Sequence, residues 1–144
     1  MRGTAMKAQV KWIGGVAFEA TADSGHKVIM DGAPESGGEN KGFRPMEMVL
    51  LGMGGCTSFD VVGILKKSRQ QVDECLVEIT AERAQTVPKV FTKIHMHFLV
   101  KGKGIDPTRV ERAVSLSADK YCSAVAMLGK TATITHDFEI IETD

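Results

Sequence analysis

The stretch Pro45–Arg69, PMEMVLLGMGGCTSFDVVGILKKSR, decides how the rest of the chain is read. No proline interrupts it after its first residue. Its first half carries Met46, Met48, Val49, Leu50, Leu51 and Met53, and its second half Cys56, Phe59, Val61, Val62, Ile64 and Leu65. As a helix it would be roughly 36 Å long. A helix apolar on every side is expected to lie inside a larger structure. Pro45 suits the first turn, where its missing N–H costs nothing, and Glu47 places a carboxylate where the helix dipole favours one. Lys66, Lys67 and Arg69 suit the opposite end. Gly52, Gly54 and Gly55 each cost about 0.5–1 kcal/mol relative to alanine in a helix. Three such costs around Cys56 point to close approach of another backbone or to access to the cysteine.

Composition narrows the classes. A chain of 144 residues is one domain by length, with 43% apolar and 25% charged residues, as in an ordinary globular protein. The formal net charge is zero, so no bulk electrostatic case exists for nucleic acid or an anionic membrane. Glu47, Asp60 and the glycines argue against a bilayer span for the long helix. Three widely spaced cysteines are not a secreted disulfide framework, and they predict a cytoplasmic protein with reduced thiols. Residues Met1–Ala5 read as an N-terminal extension before Met6, and 6–144 as a single domain. No secretory signal pattern is expected at the start.

Outward from the helix, alternation predicts strands at Lys7–Ile13, with Ala8, Val10 and Trp12 on one face, and at Val16–Ala22, with Val16, Phe18 and Ala20 inward. Gly14-Gly15 joins them as a hairpin. A third strand, His26–Met30, leads into a glycine-rich loop, Asp31–Arg44, of a length that is usually functional or mobile. After the helix, Val72–Arg83 and Phe91–Lys101 alternate again. Asp106 and Pro107 start a helix, Ser117 can cap a further segment, Ala118–Leu128, and Thr131–Ile141 closes the chain as a strand. The order of three strands, long helix, two strands, helix pair and strand predicts an α+β fold with mainly antiparallel pairing. One copy has too few strands to enclose the helix. A symmetric homodimer with exchanged N-terminal strands would close the core.

The chemically interesting residues have bland readings beside the sharp ones. A free cysteine often just packs. Cys75 alternates with Val77 and Ile79, which favours packing. Asp60 follows Cys56 by one turn, where a negative charge opposes a thiolate. His136 lies on an apolar face and reads as a hydrogen-bonded core histidine. His95 and His97 share a strand face and could hold a metal, but no third or fourth ligand is nearby in sequence.

The motif PMEMVLLGMGGC, followed about 65 residues later by SADKYCSA, resembles the OsmC/Ohr family of thiol peroxidases. The segments SGHKVIMDG and GGENKG are similar to its OsmC-like, YhfA-type branch. The resemblance runs from Met6 over nearly the whole chain. It implies strongly curved antiparallel sheets wrapped around long central helices in an intertwined dimer, and no metal or organic cofactor. It implies reduction of organic hydroperoxides or hydrogen peroxide in oxidative or osmotic stress defence. Cys56 matches the family's peroxidatic cysteine and Cys122 its resolving cysteine. An external dithiol would reduce the resulting disulfide. Glu47 is the candidate counterpart of a glutamate that holds an activating arginine, displaced by one position. That arginine is missing between Lys7 and Asn40, leaving Arg44, Arg83 or a lysine as candidate cations. The alternative expectation is an OsmC-like dimer that binds an apolar small molecule with little or no peroxidase activity.

Overall fold

The computed structural model describes residues 5–144, so four of the five residues of the N-terminal extension, Met1–Ala5, lie outside the described residues. The chain divides into two compact units, Met1–Val49 and Leu50–Asp144, and one helix runs through the boundary.

In the first unit, strands β1 (Ala8–Gly14), β2 (Ala17–Ala22) and β3 (Lys27–Met30) form an antiparallel sheet in sequence order. Gly14 and Gly15 take φ of 115° and 54°, and the register shifts between Trp12 and Gly14. The Trp12 indole N–H donates to the Gly15 carbonyl (2.9 Å), which ties the turn. The alternation in β1 predicts a half-buried strand. All seven of its residues are instead exposed in the single chain, Trp12 at 64% and Val10 at 58%. The alternating pattern marks a face that one copy leaves uncovered.

The long loop that follows is organised by Asp31, which is 3% exposed. Its carboxylate accepts the backbone N–H groups of Gly32 (2.7 Å), Glu39 (3.1 Å) and Lys41 (3.1 Å). These bonds hold the carboxyl below its ordinary pKa. Asn40 takes φ 54°, and its side chain accepts from the Arg44 guanidinium at 2.8 Å.

Helix α1 (Pro45–Lys67) starts as the sequence suggests. Its C-terminus lies two residues before the expected one. Arg69 turns left-handed at φ 62°, the Gln70 N–H returns to the Leu65 carbonyl and the Arg69 N–H to the Lys66 carbonyl. That is a Schellman ending built without glycine. As expected from the small number of strands, one copy does not enclose the helix on all sides. Met53, Gly54, Thr57, Val61 and Leu65 are buried, an i, i+4 stripe. Leu51 and Phe59 stand 50% and 82% exposed. One sheet can cover only one side of a helix, so the other apolar side has no cover in the single chain.

In the second unit, β4 (Gln71–Arg83), β5 (Phe91–Lys103) and β6 (Thr133–Glu142) form a sheet in that order. Strand β5 is central and alternates as read: Ile94, Met96, Phe98 and Val100 are buried, while His95 and His97 face outward. Full burial of each such side chain contributes roughly 1.5–3 kcal/mol. The β4–β5 pair is antiparallel, but β6 runs parallel to β5, which departs from the expected antiparallel sheets. The reason is the connection. Helix α2 (Pro107–Leu116), a wide π turn (Ser117–Tyr121) and helix α3 (Ser123–Leu128) carry the chain back to the starting end of β5, as a helical crossover does. Asp106 caps α2 through the Thr108 N–H (2.9 Å), with Pro107 at the first helical position.

Candidate active site

Two backbone devices bring the distant cysteines together. On α1, Cys56 follows Gly54 and Gly55. A β-carbon at Gly54 would press on the side chain of Ile79 and touch that of Val77, so the helix lies against β4 at this point. The neighbouring Thr57 is 1% exposed, and its hydroxyl donates to the Gly54 carbonyl at 3.1 Å.

On the opposite side, α2 does not run straight into α3. The helix widens over Ser117–Tyr121, and the Cys122 N–H donates to the Ser117 carbonyl five residues back at 2.8 Å. Cys122 then leaves the helical region with φ −77° and ψ 108°. Its sulfur accepts the Val125 N–H at 3.4 Å, so the cysteine serves as the N-cap of α3. Wide turns of this kind often mark functional positions, because they turn one side chain away from the regular helical face.

Cys56 and Cys122 are neighbours, near enough for the Cys56 side chain to shift the titration of Cys122. Both are free thiols; Cys56 is partly exposed and Cys122 buried. Burial, then the bond with Cys56, pushes the Cys122 thiol up to about 11, against the opposing pull of the Val125 and Ala124 amides. At neutral pH Cys122 therefore keeps its proton. A pair of neighbouring free thiols is the arrangement from which a disulfide can form.

Two further residues join the pair, and neither was singled out as a site residue from sequence. The Ser117 hydroxyl, 1% exposed, donates to Asp60 Oδ2 at 2.8 Å and lies 3.5 Å from the Thr57 carbonyl. Asp60, read in sequence as an unhelpful charge near Cys56, has its carboxylate directed to the turn that carries Cys122. The available signal was spacing: Asp60 lies four residues after Cys56, on the same side of the helix.

The remaining candidates lie elsewhere or are occupied. Glu47 accepts the Arg44 backbone N–H at 2.7 Å, the reciprocal half of a capping box. It lies nine residues before Cys56, which on a straight helix is the opposite side. The Arg44 guanidinium is bonded to Asn40 Oδ1 and the Gly42 carbonyl, and Arg83 Nε to the Lys89 carbonyl at 2.9 Å. Cys75 faces inward, half-buried, and burial raises its pKa. His136 is half-buried beside α2 and lines a shallow depression with Glu111, Val114 and Ser115. The nitrogens of His95 and His97 are bonded to Thr135, Asp137 and Glu139 of β6. Among the described residues no cluster of three or more metal-ligating side chains is arranged to hold an ion.

Comparison with known proteins agrees with this architecture. The profile of the family described as OsmC-like protein matches residues 38–137. Protein YhfA of Escherichia coli K12 is 48% identical over 136 residues, covering 94% of this chain and 98% of its own. A crystal structure from Aquifex aeolicus VF5 is 26% identical with a TM-score of 0.87, covering 99% of this chain and 100% of the other. An organic hydroperoxide resistance protein OsmC from Legionella pneumophila is 14% identical with a TM-score of 0.70, covering 96% and 99%; that likeness is one of fold.

Proposed function

Because this chain belongs to the OsmC-like protein family, we propose that it is a thiol-dependent peroxidase reducing organic hydroperoxides or hydrogen peroxide. The observation that carries the reading is the nearness of Cys56 to Cys122, whose pKa the Cys56 side chain raises. The partly exposed Cys56 attacks the distal oxygen of the hydroperoxide as a thiolate. The O–O bond breaks, an alcohol leaves after taking up a proton, and Cys56 becomes a sulfenic acid. The Cys122 sulfur then attacks the Cys56 sulfur, losing its proton as water departs, and a disulfide forms. An external dithiol returns both cysteines to thiols by two exchange steps.

The working unit in this proposal is a homodimer with exchanged N-terminal strands, in the cytoplasm, acting in oxidative or osmotic stress defence. The uncovered apolar residues of β1 and α1 support the dimer, since patches of this kind mark interaction surfaces. Helix α1 is long and apolar enough to cross a membrane by length and composition. Its buried stripe and its charged Glu47 and Asp60 favour a protein interface instead.

A second reading, an OsmC-like dimer that binds an apolar small molecule with little or no peroxidase activity, draws on the arginines. Arg44 and Arg83 are both bonded to groups other than the cysteines. The two readings separate on the rate of Cys56 thiol loss with cumene hydroperoxide. The enzyme reading expects fast loss in the natural protein and overoxidation of Cys56 in Cys122→Ser. Loss no faster than that of free cysteine supports the binding reading.

A further inference from the structure

The nearness of the two cysteines depends on where the π turn places Cys122, and a short side-chain bond ties that turn to α1. Ser117 opens the turn, accepts the Cys122 N–H through its carbonyl at 2.8 Å, and donates through its hydroxyl to Asp60 at 2.8 Å. Asp60 stands one helical turn after Cys56. A closed circuit results: Cys56, along α1 to Asp60, across to Ser117, and back through the turn to Cys122.

We propose that Asp60 and Ser117 are positioning residues of this site, whose hydrogen bond pins the wide turn to α1 and holds the Cys122 sulfur against Cys56. A helix prefers regular spacing, and a π turn holds one residue more per turn than an α turn. If the turn relaxed to α-helical spacing, Cys122 would swing by about 100° around the helix axis. A hydrogen bond to a carboxylate is stronger than one between neutral groups. Ser117 is buried, so removing Asp60 leaves its hydroxyl only the long 3.5 Å bond to the Thr57 carbonyl. The inference rests on the reading of the two cysteines as a redox pair, but not on peroxide as the oxidant.

The test therefore uses glutathione. In the exchange, glutathione disulfide takes two electrons and two protons from Cys56 and Cys122, giving the protein disulfide and two glutathione thiols. The full chain is equilibrated in buffers of graded thiol-to-disulfide ratio, and the Cys56–Cys122 disulfide is counted by thiol trapping and mass spectrometry. The equilibrium constant is the effective concentration of one cysteine at the other. Ser117→Ala and Asp60→Ala are each expected to lower it by about tenfold, as loss of a charge-assisted bond would. The double variant is expected to lose no more than either single one, because both remove the same bond. Ser117→Thr, which keeps the hydroxyl, is expected to recover most of the natural value. Asp60→Asn is the milder variant should Asp60→Ala fail to fold.

Unchanged constants in the single variants, additive losses in the double variant, or a natural protein that forms no disulfide in this buffer would each overturn the proposal. A natural protein that forms the disulfide with glutathione yet is inert to hydroperoxide contradicts the peroxidase reading and leaves the positioning role standing. The opposite pattern, peroxide turnover with unaffected variants, contradicts the positioning role alone.

Discussion

A β-carbon on Gly54 would lie 2.8 Å from Cδ1 of Ile79 and 3.5 Å from Cγ1 of Val77, so α1 meets β4 at a distance that glycine permits. The clash is with the tip of a flexible side chain, which can move. Gly54→Ala is expected to cost little. Gly54→Val adds bulk that Ile79 cannot fully escape, and overpacking of this kind costs roughly 1–3 kcal/mol. Urea unfolding of the two variants beside the natural protein checks the ranking.

Gly52 and Gly55 differ from Gly54, because a β-carbon at either would meet nothing within 4 Å in the single chain. If that space were solvent, alanine there would stabilise the helix by about 0.5–1 kcal/mol. The proposed dimer fills it with a partner. Gly55→Ala is therefore expected to destabilise the assembly. Phe59→Asp, at a position 82% exposed in one copy, is expected to dissociate it by burying a charge. Sedimentation velocity at micromolar concentration reads both. A natural protein that sediments as a monomer contradicts the dimer.

His97 lies between two carboxylates, with Nδ1 2.7 Å from Asp137 Oδ1 and Nε2 3.0 Å from Glu139 Oε1. Only the doubly protonated ring donates to both. Hydrogen bonds donated by the ring to Glu139 and Asp137 raise the His97 pKa above 6.5, and the bonds from His97 and His95 lower that of Asp137 below 3.8. The His97 contribution is present below pH 6.5 and disappears as pH rises through its raised folded value. The Asp137 contribution is present above pH 3.8 and disappears as pH falls through its lowered value. The cluster thus ties β5 to β6 most firmly between about pH 4 and 6.5. These groups are substantially solvent-exposed, so the effect is small. His97→Gln is expected to lower the melting temperature at pH 5.5 and to have less effect at pH 9. Equal loss at both values contradicts the assignment.

Asp31 holds three loop amides on one carboxylate. Asp31→Ala is expected to speed hydrogen exchange at Gly32, Glu39 and Lys41 while leaving the amides of β5 protected. The carboxyl has a lowered pKa, so its contribution is present above pH 3.8 and is lost as pH falls through the lowered folded value. Exchange measured by mass spectrometry after peptic digestion checks the location of the effect.

Much of this architecture is legible in residue patterns, because each legible part depends on neighbours in sequence. Alternation located the strands to within one or two residues, and Asp106-Pro107 located the start of α2. What could not be read depends on distant partners. The direction of β6 follows from the crossover through α2 and α3, not from its own alternation. The exposure of Val10, Trp12 and Phe59 depends on what covers them, which an apolar pattern does not state. At the site, the two cysteines were marked by motif. Ser117 and Asp60 read as a helix cap and a stray charge, and only the packing of the end of α2 against α1, which is not local in sequence, brings them together. Glu47 looked like a partner for an activating cation, and the capping bond to Arg44 gives it a local role that first-turn acidic residues commonly have.

The most direct test treats the reduced protein with one equivalent of cumene hydroperoxide and follows the products by intact mass and peptide mapping. The account predicts prompt loss of the mass of two hydrogen atoms from the chain and a crosslinked peptide pair containing Cys56 and Cys122. In Cys122→Ser the product is instead a sulfenic acid at Cys56, convertible to the sulfinic acid by more peroxide. A protein that keeps both thiols while the hydroperoxide persists, or that is oxidised first at Cys75, contradicts it.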